Sequence, residues 1–281
     1  MGKSFNRAEN IARGGAYVIL LLMLVAAVFP LFWMISSALR PYAELFTRPP
    51  MLLPKTYTLE WFRKVLNYSN FAQSLLNSLI VALGTTAISV VVGCMTAYSL
   101  SRPNLRGKNL FSRVILIAYM FPPIILVIPL FQIICGLDLA NTHLGLILTH
   151  ITFSFPFSAW MLLSYFKTIP RDIEEASRVD GANNLRTFVQ IILPLTAPSI
   201  VTAATFTFIN SWNEFLYAFV LANSNATKTL TVSLQAVKGG EMMEWGVVLA
   251  WSAMLVIPSL IFFTCLSKYI VAGLTAGAVK G

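Results

Sequence analysis

The residues of this sequence that could do chemistry are few, and more than a third of the acidic ones lie in one short segment. From Arg171 to Arg186, seven of sixteen residues are charged and four of these are acidic, whereas the whole chain of 281 residues has only 11 Asp plus Glu. Charged groups beside small side chains can fix the orientation of a docking partner through paired hydrogen bonds. The segment is therefore a candidate docking element, and an ordinary solvated loop is the alternative.

A second polar group lies farther along the chain, in a run with no other charge. It comprises Asn210, Trp212, Asn213 and Glu214. If this run spans a membrane, a carboxylate within it costs roughly 2.5–3.5 kcal/mol, so Glu214 should face a cavity, a pairing partner or the headgroup region. We expect a structural hydrogen bond as the default for Glu214, and contact with a crossing solute as the alternative. Trp212 could stack on such a solute or anchor at the lipid interface.

Metal and nucleotide sites are not indicated by the sequence. His143 and His150 are seven residues apart, which places them on one helix face, but no further ligand is spaced to complete a metal site. The cysteines are widely spaced and form no CxxC pair, so they are expected to be small core residues: Cys94, Cys135 and Cys265. The chain has no GxxxxGK[ST] loop, and the nearest stretch, 106–109, lacks the first glycine and the hydroxyl. We therefore expect this chain to bind no metal and no cofactor.

The composition indicates the surroundings in which these groups act. Hydrophobic residues make up 57% of the chain and charged residues 11%, and the mean hydropathy is +0.74. A soluble domain carries about 25% charged residues, so much of this surface must face lipid. The net charge of +9 does not indicate a nucleic-acid partner, because the basic residues lie in loops between apolar runs rather than along one face.

Six apolar segments are long enough to cross the hydrocarbon, which takes roughly 20 residues of helix. They are 15–39, 73–100, 113–136, 144–166, 196–221 and 247–267. The segments are too long and too continuously apolar for outer-membrane strands, and helices satisfy their own backbone hydrogen bonds in lipid. The sequence therefore predicts an all-α membrane protein, with one transmembrane domain over residues 1–281 and six transmembrane helices.

The distribution of basic residues predicts the orientation. An even number of spans places both termini on one side, and the loops and tails of that side carry 13 Lys and Arg against seven on the other. The richer side should be cytoplasmic. The first outer loop is an exception to this rule, because it carries five basic residues. Its prolines indicate irregular folded structure. The prediction is a multi-pass membrane protein with both termini in the cytoplasm.

The charged segment, taken as 171–193, then falls between the fourth and fifth helices on the cytoplasmic side. Asp172 and Glu175 have the spacing of a capping box, which predicts a first short helix over 173–179. This helix should end at Gly181, because glycine supplies the backbone angles that a sharp turn needs. The result is a cytoplasmic helical elbow, or coupling helix.

A second short helix should follow the turn. Asn183 or Asn184 can cap it, and Leu185, Phe188 and Ile192 follow at the spacing of one apolar helix face. The elbow is thus expected to lie along the inner membrane surface.

The third apolar segment contains two adjacent prolines, Pro122 and Pro123. Such a pair breaks a helix, and a break is tolerated in a membrane only where protein or a water-filled cavity covers the freed backbone. The pair therefore hints at a pathway through the helix bundle.

At the elbow, the sequence resembles the permease subunits of ATP-binding-cassette importers. Their signature is Glu-Ala-Ala, then after three residues Asp-Gly-Ala, then Phe and a Leu-Pro; here it reads Glu175-Ala176-Ser177, Asp180-Gly181-Ala182, Phe188 and Leu193-Pro194. Serine in place of the second alanine is a departure that keeps the site small. The resemblance implies that the elbow sits in a cleft of an ATPase. The residues that it assigns to this docking are Glu174, Glu175, Ala176, Ser177, Asp180, Gly181 and Ala182.

Two further stretches are similar to the maltose-transporter type of carbohydrate permease. They are Ser211-Trp-Asn-Glu-Phe215 and the glycine-rich C-terminal tail, 273–281. In that family the tail reaches between two ATPases, so the implied tail contacts are Gly273, Thr275, Gly277 and Lys280. The candidates for the substrate pathway remain the polar group described above, namely Asn210, Trp212, Asn213 and Glu214.

The resemblance also implies a location in the bacterial inner membrane, the partners and the reaction. It implies a second homologous permease subunit, two ATP-binding-cassette ATPase subunits that use ATP and Mg, and an extracytoplasmic solute-binding protein. The chain itself would be a transport subunit rather than an enzyme, forming half of a carbohydrate pathway. An ion-coupled secondary transporter or a channel subunit is the alternative. The cargo is not named by the sequence, although the basic outer loop slightly favours an anionic ligand.

Overall fold

The computed structural model describes the backbone of residues 2–102, 106–238 and 243–278, and the side chains of residues 13–102, 106–237 and 243–267. Every regular element in those residues is helical. In chain order they are α1 (Gly2–Ala38), α2 (Tyr42–Leu45), α3 (Glu60–Leu66), α4 (Phe71–Ser101), α5 (Lys108–Met120), a 3-10 turn (Pro123–Leu126), α6 (Val127–Gly136), α7 (His143–Phe166), α8 (Asp172–Val179), α9 (Asn184–Thr187), a π-helical turn (Phe188–Ile192), α10 (Leu193–Leu195), α11 (Ala197–Trp212), α12 (Leu216–Leu221), α13 (Leu230–Lys238) and α14 (Trp245–Ala278).

Among the described residues, four helices are long and apolar enough to cross a membrane, and the number rises to six if two bent pairs each count as one span. The four are α1, α4, α7 and α14. The bent pairs are Lys108–Met120 with Pro123–Gly136, bent by 92°, and Asn184–Leu195 with Ala197–Trp212, bent by 76°. The predicted all-helical membrane fold is confirmed, whereas the count of six depends on the bent pairs.

The third span is broken where its two prolines lie, as predicted. Phe121 and Pro122 adopt extended backbone, with ψ of 127° and 121°, and a 3-10 turn starts the second half at Pro123. In contrast, α7 continues through Pro156 without ending. One proline therefore leaves a helix continuous in this chain, while two adjacent prolines end one.

The fifth span, predicted as one helix over 196–221, is instead α11 followed by α12. The carboxylate of Glu214 accepts hydrogen bonds from the backbone N–H groups of Tyr217 and Ala218, at 2.8 and 3.1 Å. These bonds take the place of the first intrahelical acceptors of a new helix, so the chain restarts after three residues. The prediction of a continuous fifth helix was wrong. Hydropathy measures only how apolar a run is, so it does not show that the Glu214 carboxylate accepts the hydrogen bonds of two backbone N–H groups.

The contacts within the chain form two compact units. The first comprises residues 1–68 with 236–256, and the second comprises residues 69–235 with 257–281. Helix α14 contributes its first part to the first unit and its later part to the second. The prediction of one transmembrane domain over the whole chain stays a prediction.

The first unit is organised around a buried arginine at the end of α1. The Arg40 guanidinium donates to the carbonyls of Met51 and Leu52 and to the hydroxyl of Ser36. The indole N–H of Trp61 donates to the Arg40 carbonyl at 2.6 Å. A buried charge is costly unless it is well bonded, and here carbonyl oxygens of the following loop supply the partners. The loop after α1 is thus fixed to α1 and to α3.

The second unit is built on α4, which packs against α7 and α11. Gly93 permits this approach, since a Cβ added there would lie 3.2 Å from the Cβ of Ser158. One apolar cluster of this unit consists of Val90, Cys94, Ala97, Leu100, Leu162, Leu163, Phe166, Ile192 and Ala203. Because Ile192 belongs to the π-helical turn, this core holds the last part of the charged segment.

Candidate functional site

The charged segment folds as two short helices joined by a turn. Helix α8 ends at Val179, and Gly181 turns the chain with a φ of +83°, in the left-handed region that favours glycine. The side chain of Asn183 caps α9 by accepting a hydrogen bond from the N–H of Arg186 at 2.8 Å. The predicted turn, the first helix over 173–179 and one of the two predicted caps are therefore confirmed.

The predicted capping box at the start of α8 was wrong. Asp172 is the first helical residue, and the N-cap is Arg171, which makes no side-chain capping bond. The backbone of Arg171 already has α-helical angles, and its carbonyl accepts from the N–H groups of Glu174 and Glu175. The helix thus begins one residue too early for Asp172 to act as a cap.

Glu174 fixes the base of the elbow to the end of α4. Its carboxylate forms an ion pair with the Arg102 guanidinium and accepts a hydrogen bond from the Tyr98 hydroxyl at 3.3 Å. The Glu174 and Arg102 side chains are only 6% and 14% exposed. Arg102 also lies over the ring of Tyr98, with 5.0 Å between its Cζ and the ring centroid. Glu174 therefore points into the protein, which revises its expected role as a direct docking contact.

Ser177 also faces inward and joins the two short helices. Its hydroxyl donates to the Glu174 carbonyl at 2.7 Å and is 2.8 Å from the hydroxyl of Thr187 on α9. Both hydroxyls are buried. The serine that departs from the signature Glu-Ala-Ala thus forms a bond that alanine could not form, and it holds the two arms of the elbow together.

The other candidate docking residues face outward. Glu175, Ala176, Asp180 and Gly181 are exposed, and Ala182 is half-buried. Nothing lies within 4 Å of a Cβ added to Gly181. The turn is therefore open on the side away from the core.

Two apolar side chains flank this open turn. Val179 is 88% exposed and Leu185 is 70% exposed. Of the predicted apolar face of the second helix, Leu185 and Phe188 line one cavity, Ile192 is fully buried, and Phe188 packs on Tyr98 at 4.8 Å between ring centroids. Residues of α4 form the opposite wall of this cavity, so the predicted face is directed toward α4.

Glu214 is held at the junction of α11 and α12. Besides its two backbone bonds to α12, its carboxylate lies 3.3 Å from Nε2 of His150 on α7, which makes an ion pair when the imidazole is protonated. Nδ1 of His150 lies 2.7 Å from the hydroxyl of Ser211. The Thr231 hydroxyl donates to the Glu214 carbonyl at 2.8 Å. The expected structural hydrogen bonds within the bundle are thus present.

The three other candidates around Glu214 have different surroundings. Trp212 is only 2% exposed and its ring stacks on Phe208 at 5.8 Å, so it neither reaches a solute nor anchors at an interface. Asn213 is exposed, and its amide donates back to the Ile209 carbonyl at 2.9 Å. Asn210 is exposed and lines a cavity together with Glu214. The structure therefore brings two of the four candidates together at one open space.

The cavity has a volume of about 380 Å³. Five of the nine residues that line it are aromatic: Tyr119, Phe121, Phe153, Phe157 and Tyr217. The Phe153 and Tyr217 rings are stacked at 5.7 Å with 14° between their planes, and the Tyr119 and Phe157 rings lie 5.6 Å apart. The wall is thus apolar, with Asn210 and Glu214 at its polar edge.

The two histidines have separate hydrogen-bonding partners. Nε2 of His143 lies 2.9 Å from the side-chain oxygen of Asn77, whose amide donates to the Lys228 carbonyl, whereas His150 contacts Ser211 and Glu214. Within the described part of the chain, no group of three or more His, Cys, Asp or Glu could hold a metal ion.

Comparison with known proteins assigns the chain to a family. The family model for the binding-protein-dependent transport system inner membrane component matches residues 89–275, which include the elbow and both broken helices. The chain belongs to this family. Among its relatives, the inner membrane ABC transporter permease protein YcjP of Escherichia coli (strain K12) is 35% identical over 275 residues, or 97% of this chain and 98% of the relative.

Further relatives agree with this assignment. The trehalose transport system permease protein SugB of Mycobacterium tuberculosis (strain CDC 1551 / Oshkosh) is 38% identical over 257 residues, covering 91% of this chain and 93% of SugB. The crystal structure of a bacterial ABC transporter involved in the import of the acidic polysaccharide alginate contains a similar chain, with a TM-score of 0.81 and 25% identity. That match covers 94% of this chain and 98% of the other.

The tail residues that are candidates for ATPase contact in this inner membrane component lie at the end of the described part of the chain. Helix α14 continues to Ala278, so the backbone of 273–278 is helical. The side chains of Gly273, Thr275 and Gly277, and the whole of Lys280, lie outside the described residues. Their contact with an ATPase stays a prediction.

Several residues of this permease that shape the candidate sites were missed by the sequence reasoning. Arg102 and Tyr98 had no visible link to the elbow, because their contact with Glu174 joins positions more than 70 residues apart. The aromatic wall did have a signal, since Phe153 and Phe157 are four residues apart, which is the spacing of one helix face.

Proposed function

We propose that this chain is a transmembrane permease subunit of an ATP-driven importer for a carbohydrate or a carbohydrate-like solute. Membership of the family supports the permease role. SugB is named for trehalose and the similar solved chain for alginate, and these names support a saccharide cargo. In this proposal the chain forms half of the pathway and carries no nucleotide site.

The observation that carries the proposal is the geometry of the elbow over 174–193. Its base is fixed to α4 through Glu174 and Arg102, while its tip exposes Val179 and Leu185 on either side of the open Gly181 turn. Apolar side chains surrounded by polar residues can act as anchors in a contact with another protein. The elbow therefore has a fixed base and a free tip, as a docking element requires.

The elbow docks to an ATPase subunit on the cytoplasmic side, which is the side predicted by the basic loops. Glu175 and Asp180 supply charges beside the small residues Ala176 and Ala182, so a partner can approach the backbone closely and be oriented by paired hydrogen bonds. Closure of an ATPase pair around ATP and Mg would move the elbow. ATP shifts the transporter between its states only if the ATPase binds the elbow with a different affinity in each state.

The remaining partners follow from the same assembly. They are a second homologous permease, two ATPase subunits, an extracytoplasmic solute-binding protein and the lipid bilayer. The C-terminal residues Gly273, Thr275, Gly277 and Lys280 are proposed to contact the ATPases.

The test is to isolate the tagged permease from membranes and measure whether a nucleotide-binding subunit comes with it. Val179→Asp and Leu185→Asp place a charge on the exposed tip and are expected to lower the amount of bound ATPase by about tenfold or more, because a charge at an apolar contact costs upward of ~1.4 kcal/mol. The matched control is Leu66→Asp at the end of α3, which is also exposed and should leave the yield unchanged.

Isolation of the wild-type permease without an ATPase, together with uptake driven by an ion gradient, would overturn the proposal and favour a secondary transporter. Equal ATPase yields for Val179→Asp and wild type would refute the elbow as the docking element.

A further inference from the structure

Two broken spans are bonded to each other beside Glu214. The third span breaks at Pro122–Pro123, and the fifth restarts as α12. The hydroxyl of Tyr217 on α12 donates to the carbonyl of Pro123 at 2.6 Å. The pieces of a broken helix can move as separate bodies, because no continuous run of backbone hydrogen bonds joins them. The bond from Tyr217 therefore ties two movable pieces together.

Helix α12 is too short to hold its own position. It spans six residues, and a helix of that length depends on tertiary contacts for its stability. The N–H groups of Tyr217 and Ala218 in its first turn both donate to the Glu214 carboxylate. The Glu214 side chain therefore determines where α12 begins and in which direction it runs.

His150 in turn holds the Glu214 carboxylate. Its imidazole is fully buried on α7, with Nε2 at 3.3 Å from the carboxylate and Nδ1 at 2.7 Å from the Ser211 hydroxyl. Ser211 and Glu214 lie on the two sides of the point where α11 ends, at Trp212. The imidazole thus contacts both the last turn of α11 and the acceptor on which α12 starts.

A second contact joins α7 to α12. The ring of Phe153, three residues after His150, stacks on the ring of Tyr217 with 5.7 Å between the centroids and 14° between the planes. His150 and Phe153 lie on the same face of α7, because residues three apart are neighbours on a helix. One face of α7 is therefore directed toward the junction of α11 and α12.

Helix α7 leads from this junction to the elbow. It continues from His143 through Pro156 to Phe166, and α8 begins at Asp172. His150 lies 16 residues before Phe166, which is roughly 24 Å at 1.5 Å per residue. A rigid helix carries a displacement along its length, so a movement of the elbow end of α7 reaches the junction.

We propose that His150 is a positioning residue that joins α7 to both helix breaks, so that a displacement of the elbow moves the two breaks as one body. The chain of contacts runs from His150 through Glu214 to α12, and from Tyr217 on α12 to Pro123. The proposal rests on the proposed function, because it needs an ATPase that moves the elbow. Without His150, α7 would move while α12 and the break in the third span stay behind.

The experiment measures distances between spin labels in the purified complex with all its subunits, in lipid nanodiscs. Each pair is measured without nucleotide and with the non-hydrolysable analogue AMP-PNP and Mg. The native cysteines are replaced by alanine, namely Cys94, Cys135 and Cys265.

Two label pairs are placed at exposed positions. Leu148→Cys on α7 with Phe219→Cys on α12 gives the α7–α12 distance, and Ile124→Cys in the third span with Phe219→Cys gives the break–break distance. Both distances should be the same with and without nucleotide when the rest of the chain is wild type, because the three elements move together.

His150→Asn tests the link between α7 and the junction. An Asn amide can take the place of Nδ1 toward Ser211, but it does not extend to the Glu214 carboxylate, so the α7–α12 distance should shift by about 2 Å when nucleotide binds. His150→Gln is longer by one methylene and restores a donor toward Glu214, so it should behave as the wild type. The matched control is His143→Asn, the same substitution on the same helix, because His143 contacts Asn77 and not the junction.

Tyr217→Phe tests the link between the two breaks. It keeps the ring that stacks on Phe153 and removes only the hydroxyl that bonds the Pro123 carbonyl. The break–break distance should then change when nucleotide binds, while the α7–α12 distance should stay the same.

The outcomes separate this inference from the proposed function. An α7–α12 distance that changes in the wild type, stays fixed in His150→Asn, or changes equally in His150→Gln overturns the inference. If His150→Asn does not assemble, Tyr217→Phe decides, because a break–break distance that stays fixed in that variant also overturns it. Absence of an ATPase from the wild-type preparation contradicts the importer function instead.

Discussion

The carboxylate of Glu174 on α8 is paired with the guanidinium of Arg102, the residue that ends α4, and both side chains are largely buried. The elbow is consequently joined to the second span as well as to the fourth and fifth, between which it lies in sequence. Any displacement of the elbow must either carry the end of α4 with it or break this pair.

Removing one member of the Glu174–Arg102 pair should destabilise the second unit. Glu174→Gln leaves the Arg102 charge without a counter-ion, and breaking a buried pair costs about 3–5 kcal/mol. Detergent-induced unfolding of the purified permease measures this loss. Glu175→Gln is the matched control, because Glu175 is exposed and its charge has no such buried partner.

The double variant Glu174→Gln with Arg102→Gln should be more stable than the sum of the two single losses predicts, because neither charge is then left alone. Strictly additive losses would show that the two side chains do not interact in the membrane.

Gly181→Val should uncouple the ATPase from transport. A β-branched residue at a φ of +83° strains the backbone by about 1–3 kcal/mol, so the turn between α8 and α9 would reshape. We expect uptake to fall while the ATPase activity of the reconstituted complex no longer responds to substrate. Normal uptake with substrate-stimulated hydrolysis would contradict the elbow's role.

A suitable control for this substitution is Gly136→Val on α6. Nothing lies within 4 Å of a Cβ added there, and its backbone is helical. It introduces the same side chain without requiring a left-handed backbone, so coupling should be retained.

Glu214→Ala should loosen the start of α12. The backbone N–H groups of Tyr217 and Ala218 lose their carboxylate acceptor, and loss of a helix-capping acceptor costs about 0.5–2 kcal/mol. Hydrogen exchange at these two amides should be faster in the variant, by up to about thirtyfold for that free energy. Glu214→Gln should exchange more slowly than Glu214→Ala, since an amide oxygen can still accept one bond.

For this measurement, Glu60→Ala is the control, because Glu60 is exposed and its pair with Lys64 lies at the surface. If the amides of α12 exchange at wild-type rates in Glu214→Ala, the carboxylate does not determine the break in the fifth span.

Arg40→Met should release the loop after α1. The carbonyls of Met51 and Leu52 lose their shared donor, and stranded buried acceptors cost about 1–3 kcal/mol each. Trypsin should then cut after Lys55 severalfold faster than in the wild type. Arg40→Lys should give an intermediate rate, because lysine retains the charge without the planar fork of donors; cleavage at the wild-type rate in both variants would contradict the anchoring role.

Local signals predicted much of the elbow, and long-range contacts account for the rest. The turn at Gly181 and the cap at Asn183 depend on a few neighbouring residues, so the sequence revealed both. Glu174 was assigned to the docking surface because nothing nearby indicates Arg102, which lies on another helix. Its inward orientation is set by tertiary packing that a single sequence does not display.

The membrane-spanning helices were also predictable only where the signal is local. Four helices and the break at Pro122–Pro123 follow from hydropathy and from proline chemistry. The break in the fifth span does not, because the run around Glu214 stays apolar while one carboxylate takes the donors of two amides.

The central claim is that the elbow tip contacts an ATPase, and disulfide or maleimide cross-linking tests it most directly. With Cys94, Cys135 and Cys265 replaced by alanine, a single cysteine at Asp180, beside the Gly181 turn, should cross-link to the ATPase subunit in membranes. The yield should differ between the nucleotide-free and ATP-bound complexes. A cysteine at the exposed Leu66 should give no such product. Absence of any Asp180→Cys adduct with an ATPase, or equal yields from both positions, would contradict the account.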